Sequence, residues 1–170
     1  MRTFLYTNTM KEYKALLIQK DVDKAMDIPV YDTQQRWGIV CKKFPFVISG
    51  EAKDIKSRSW PDEDGDDEFI PDTIPMKAYE VDVEFVCVCK HGEAQVNISS
   101  FVDYLTGRDS GYPGAKLKIY DTNTKIGRKN VRFSKYKDDA FSMSTDSEDV
   151  VVFSMTFKIN DPTTQIILSA

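Results

Sequence analysis

The sequence predicts a mainly β, α+β fold: a β-sandwich or partly closed barrel with one flanking helix. Three stretches predict it. In residues 76–90, Tyr79, Val81, Val83, Phe85, Cys87 and Cys89 alternate with Glu80, Asp82 and Glu84. A period of two puts one set on a buried face and the other in water. In residues 149–159, Val151, Phe153, Met155, Phe157 and Ile159 share a face in the same way. Between these runs, Ile98, Phe101, Val102 and Leu105 keep the spacing of an amphipathic helix over about 97–106, with Asn97 as its expected cap and Gly107 just past its end.

The other elements follow in order. Phe4 to Tyr6 reads as a short strand, and Thr9-Met10-Lys11-Glu12 has the form of a capping box opening a turn of helix at 10–14. Leu16-Leu17-Ile18 fits helix or strand equally, because short apolar runs carry no decisive period. Arg36 to Ser49 reads as a strand broken at Pro45, hence an edge or bulged strand. Glu51 to Ile74 is a long polar connection of the kind that is usually functional or mobile. Strands are expected at 116–120 and 129–135, joined by a turn around Asn123 and Gly127, and Pro162 ends the last strand.

The 76–90 run would reach roughly 50 Å if extended, far beyond the usual strand of about five or six residues. It must either bend or stand out in part as an arm that sister copies cover. That points to assembly rather than chemistry.

At 170 residues the chain is expected to form a single domain, 1–170, with a long loop 51–75 and a short tail 162–170. Its 41% hydrophobic and 12% aromatic content belongs to a folded protein. No stretch is long and apolar enough to span a bilayer, and the N-terminus lacks the pattern of a signal peptide, so a cytosol and no membrane are expected. Three cysteines, two of them on one strand face, argue against a disulfide framework. The net charge of −4 is unevenly placed. Residues 62–68 carry Asp62, Glu63, Asp64, Asp66, Asp67 and Glu68, whereas residues 115–137 hold eight basic residues against Asp121 alone. Such patches are most often solvated, but in neighbouring copies they would attract one another.

Each candidate chemistry has a cheaper structural explanation. Cys87, Cys89 and His91 share a strand face about 6.6 Å apart, too far to chelate zinc without a turn, and the cysteines simply continue an apolar face. A Cys–His catalytic pair would have to use His91, the sole histidine, with no orienting partner in view. The glycine in the acidic run lies too early for an EF-hand loop, Asn97-Ile98-Ser99 is better read as a helix cap than a glycosylation site, and no phosphate-cradling loop is present. The basic stretch with Tyr120, Phe133 and Tyr136 lacks a nucleic-acid recognition motif. No catalytic residue, cofactor or metal is therefore expected.

The segment order resembles the distal tail proteins of long-tailed bacteriophages and, more broadly, the tail-tube fold family, over roughly Val30 to Pro162. The resemblance is carried by the loop Ser57-Arg58-Ser59-Trp60-Pro61-Asp62-Glu63-Asp64-Gly65-Asp66-Asp67, the strand Lys77–Phe85, the helix Ile98–Leu105 and the closing strand Val150–Asn160. The opening Thr7–Tyr13 is also similar to that family's start. The resemblance implies a structural virion protein, not an enzyme. Its fold would be a β-sandwich with a flanking helix, assembled in the host cytoplasm into a hexameric ring that joins tail tube to baseplate or tail tip. DNA would pass through the channel without sequence-specific binding. Other phage tail proteins would be its partners, and with ten residues after Asn160 a further carbohydrate-binding domain is not expected.

The long loop and long strand then become candidate subunit contacts through Arg58, Trp60, Asp62, Asp64, Asp66, Asp67, Tyr79 and Val81. The basic segment would answer with Lys125, Arg128, Lys129 and Arg132. The alternatives are another ring component (tube, terminator or head–tail connector subunit), a non-viral monomeric β-sandwich module whose loop 51–75 closes on a ligand, and an enzyme using His91 with a cysteine.

Overall fold

The computed structural model describes residues 15–22, 27–109, 111, 114–137 and 141–169; the expected strand at 4–6 and helical turn at 10–14 lie outside them. The fold is mainly β, a curled half-barrel sheet with few helices. Its strands are β1 (Leu16–Lys20), β2 (Tyr31–Asp32), β3 (Ile39–Lys43), β4 (Ser57–Ser59), β5 (Asp66–Glu68), β6 (Tyr79–Lys90), β7 (Leu117–Asp121), β8 (Ile126–Tyr136), β9 (Phe141–Ser144) and β10 (Glu148–Ile159). The helices are α1 (Thr33–Trp37) and α2 (Ala94–Thr106). The main sheet runs β2-β1-β7-β8-β10-β6-β3, with β9 beside β10, while β4 and β5 form a separate hairpin.

The two long alternating strands pair with each other. β6 and β10 lie antiparallel along their whole length, from Tyr79 opposite Ile159 to Lys90 opposite Glu148. Matched length and matched alternation put both apolar sets on one face, so Val83, Phe85, Cys87, Met155 and Ile159 are all fully buried. This corrects the expectation that the strand stands out as an arm. β10 satisfies one edge of its backbone ladder, and β3 covers the other edge from Glu84 to Cys87. An antiparallel partner of equal length lies within the chain, so that edge of β6 needs no sister copy.

The undecided Leu16–Ile18 segment is strand, paired with β7 and β2. The expected strand from Arg36 starts later. Asp32 accepts from the backbone N–H groups of Gln34 and Gln35 and caps α1, which ends at Gly38. Gly38 has φ +67°, and a Cβ there would sit 2.6 Å from the Val88 carbonyl oxygen, so only glycine turns the chain this sharply into β3. β3 is the edge strand the sequence predicts, with its register shift between Cys41 and Lys43 ahead of Pro45.

Helix α2 packs against the sheet and begins at Ala94, three residues before Asn97. Asn97 is therefore inside the first turn rather than at the cap, and Glu93 holds the cap position without a side-chain bond. Gly107 closes the helix with φ +75°, donating to the Asp103 and Tyr104 carbonyls. Phe101, Tyr104 and Leu105 bury against the sheet, with Ile98 and Val102 partly buried beside them. Trp37 locks α1 to α2, its ring 5.0 Å from Phe101 and 5.2 Å from Tyr104, and its indole N–H donates to Ser100 Oγ. Phe85 joins this cluster to β10 through Phe153 at 5.6 Å.

Candidate interaction surface

The segment expected to be an irregular loop is the element that projects. Its base is tied by an Ala52–Met76 bridge, by Lys77 N–H donating to the Glu51 carbonyl at 2.7 Å, and by Lys53 N–H donating to the Pro75 carbonyl at 2.8 Å. The Lys77 ammonium adds ion pairs to Glu51 (3.2 Å) and Asp54 (3.1 Å). Beyond the base, Ser57, Arg58 and Ser59 pair with Glu68, Asp67 and Asp66, and the loop Trp60–Gly65 closes the tip. Every residue from Lys56 to Ile70 is exposed. The Asp64-Gly65 dipeptide was the available sequence signal for this hairpin; it was masked by strand arms too short and too polar to show alternation.

The hairpin surface is unusual in two ways. Trp60 (42% exposed), Phe69 (81%), Ile70 (65%) and Ile74 (45%) leave large apolar area in water on one small element. Asp62, Glu63, Asp64, Asp66, Asp67 and Glu68 crowd the tip, and none has a cation within 4 Å among the described residues. Two local contacts order the tip: Trp60 donates its indole N–H to Asp67 Oδ2 at 3.1 Å, and the Arg58 guanidinium lies 4.6 Å from the Trp60 ring centroid. A two-stranded hairpin is at best marginally stable alone. This one gets its order from its base and from that Arg–Trp–Asp contact.

Other candidate contact residues are placed differently from expectation. Val81 is 5% exposed and belongs to the core, because it falls on the inward face of β6. Tyr79 is half-buried, its hydroxyl 3.5 Å from the Val47 carbonyl. Arg128 is 3% exposed; its guanidinium donates to Gln165 Oε1 at 2.5 Å and to the Val47 carbonyl at 3.1 Å. Neither Val81 nor Arg128 can meet a neighbour. Lys129 is 3.9 Å from Asp161, Lys116 is 3.8 Å from Asp21, and Lys137 is 2.6 Å from Asp82. Much of the basic 115–137 segment is therefore answered by acids of the same chain that lie outside it in sequence. Lys118, Lys125, Arg132 and Lys135 have no ion pair among the described residues.

A second feature escaped sequence reasoning altogether. An open groove of about 750 Å³ runs between α1 and α2, lined by Tyr31, Arg36, Val96, Ser99, Asp103 and Arg108 among others. The Arg36 guanidinium stacks 3.8 Å from the Tyr31 ring centroid. Neither Arg36 nor Arg108 has an ion pair among the described residues. The two arginines are 72 positions apart (108 − 36), so no local pattern joins them.

His91 has an orienting partner after all. Its Nδ1 lies 3.0 Å from Ser144 Oγ and 3.2 Å from Asp149 Oδ1, while Ser144 Oγ donates to the same Asp149 oxygen at 2.6 Å. The residues are those of a hydrolytic triad but the arrangement is not. A triad needs serine on one ring nitrogen and carboxylate on the other, whereas here both meet Nδ1 and the serine proton goes straight to the carboxylate. With the Gly92 N–H donating to Asp149 Oδ2 at 2.7 Å, the cluster ties the turn after β6 to the β9–β10 hairpin. Cys87 and Cys89 lack the surroundings that activate a thiol. Burial pushes the Cys87 thiol up to about 12, with the neighbouring Cys89 adding to it, and burial raises Cys89 as well. An attacking thiol needs the opposite shift. No protein-family model matches the sequence, and no curated protein matches it.

Proposed function

We propose that the chain is a structural virion protein, a distal-tail-like component that forms a ring around the DNA channel of a phage tail and joins tube to baseplate or tip. The observation that carries this reading is the β4–β5 hairpin. It stands off the sheet, bears Trp60, Phe69, Ile70 and Ile74 in water, and ends in a cluster of carboxylates. Such an element gains its stability when a partner covers it. A ring uses heterologous contacts, in which one patch of each copy meets a different patch of the next. A projecting hairpin suits that geometry, since it reaches outward on one side only. The order of segments that resembles distal tail proteins supports the same reading.

Light scattering on the purified full chain, followed by negative-stain microscopy, tests it. Closed rings, with six copies as the expected number, are the supporting result. A monomer at every concentration, with the hairpin unchanged in protease sensitivity, overturns it.

A further inference from the structure

The geometry points to the α1–α2 groove as the receiver of the acidic hairpin tip from a second copy of this chain. This rests on the ring reading and names the two faces that meet. The hairpin offers six carboxylates that no cation of the described residues answers. The obvious receiver, the basic segment 115–137, is depleted by its own contacts: Arg128 is buried, and Lys116, Lys129 and Lys137 pair within the chain. Arg36 and Arg108 are the guanidiniums that face a concave surface without an ion pair among the described residues.

Their chemistry suits carboxylates. The Arg36 guanidinium carbon lies 3.8 Å from the Tyr31 ring centroid, which holds the cation at the groove wall, and a guanidinium can bind a carboxylate through two N–H groups at once. Asp103 on the groove wall opposes them without an ion pair among the described residues, and Asp109 is engaged by Lys20 at 3.3 Å. Among the described residues, two arginines and one aspartate of the groove are without an ion pair, which leaves a positive excess there. Val96 (68% exposed) beside them gives the apolar hairpin residues a surface to cover. From Ala52 to Trp60 the hairpin reaches up to about 28 Å, long enough to leave its own subunit.

The test uses two full-length variants. One carries Asp62→Lys, Glu63→Lys, Asp64→Lys and Asp66→Lys, which reverses the sign of the tip and keeps the Trp60–Asp67 bond; the other carries Arg36→Glu and Arg108→Glu in the groove. Each alone is expected to lose assembly by at least about tenfold in midpoint concentration. An equal mixture is expected to restore it, because every tip then finds a groove of opposite sign. Unchanged melting temperatures show that the variants fold. As an independent measurement, Asp64→Cys in one preparation and Val96→Cys in another are expected to give a bismaleimide-linked heterodimer. If the groove variant assembles like wild type while the tip variant fails, or if no heterodimer forms, the hairpin docks elsewhere, with Lys118, Lys125, Arg132 and Lys135 next in line, and the ring reading survives. If wild type itself stays monomeric, both fall.

Discussion

The Lys20 ammonium sits beneath the C-terminal end of α2, where it donates to the Tyr104 backbone carbonyl and lies 4.3 Å from the centroid of the same residue's ring. A second bond, 2.6 Å to the Gly114 carbonyl, and an ion pair with Asp109 at 3.3 Å complete its shell. The lysine is 1% exposed. Burial holds its pKa below the ordinary lysine value, and Asp109 works against that shift. A cation here answers the partial negative charge of the helix end and fastens α2 to β1. Lys20→Met keeps the volume but strands two carbonyls and a carboxylate. It is expected to cost about 2–4 kcal/mol in urea unfolding, with faster amide exchange over residues 103–107. An unchanged unfolding midpoint would falsify this role.

That contact also shows where sequence reasoning stops. Alternation made β6 and β10 legible, and the i, i+3, i+4, i+7 pattern made α2 legible, because each element signals its buried face in its own residues. Lys20, Arg128 and Arg36 carry no such signal. Their partners are backbone carbonyls, a distant glutamine and an aromatic face, brought together by the sheet order alone. Val81 faces inward because β6 pairs along its whole length with β10, whose Phe157 stands opposite it 76 residues ahead (157 − 81), too far for any local pattern to show. The hairpin arms Ser57–Ser59 and Asp66–Glu68 are polar throughout and so carry no alternation that marks a strand.

Acid should weaken the fold through two carboxylates. Asp82 accepts from the Lys137 ammonium at 2.6 Å and the Thr156 hydroxyl at 2.6 Å, and these bonds hold its pKa below the usual range. Asp149 is lowered by the Ser144 hydroxyl first, then by the Gly92 N–H, with His91 adding to both. A carboxylate whose folded pKa lies below the unfolded value near about 3.9 contributes stability that is complete above that value. The contribution disappears as pH falls through the folded pKa. Thermal melts are expected to show Tm dropping between about pH 4.5 and 3, and Asp82→Asn with Asp149→Asn should flatten that slope. A double variant whose profile runs parallel to wild type excludes both residues as the cause.

The thiols should report on the core. Cys87 is fully buried with its pKa near 12, Cys41 is 7% exposed, and Cys89 is partly exposed. A disulfide-exchange reagent at neutral pH is expected to modify Cys89 alone, slowly, and to reach Cys41 and Cys87 only with unfolding. Cys87→Ser, which buries a hydroxyl in place of a weakly polar sulfur, should cost about 1–3 kcal/mol. Rapid native-state labelling of all three thiols would contradict the packing of β6 against α2.

The segment after β10 runs back along β8, and its hold depends on Gly127 and Arg128. Ile166 N–H donates to the Gly127 carbonyl at 3.4 Å, Gln165 donates its side-chain amide to the Lys125 carbonyl at 2.9 Å, and Arg128 clamps Gln165 to Val47. The backbone passes so close that a Cβ on Gly127 would fall 2.2 Å from the Ile166 carbonyl oxygen and 2.9 Å from the Tyr120 ring. A backbone atom cannot yield as a flexible side chain can, so Gly127→Ala must lift the segment. The strand pairing of Gly127 with Tyr120 does not depend on that segment, and the sheet should keep its order. Limited proteolysis is expected to cut between residues 161 and 169 in Gly127→Ala under conditions that leave wild type intact. Arg128→Met should act more strongly, because it frees the Val47 carbonyl as well as Gln165 and loosens the chain on both sides of the clamp. Should Gly127→Ala resist cleavage as wild type does, the close approach at Ile166 does not hold this segment down.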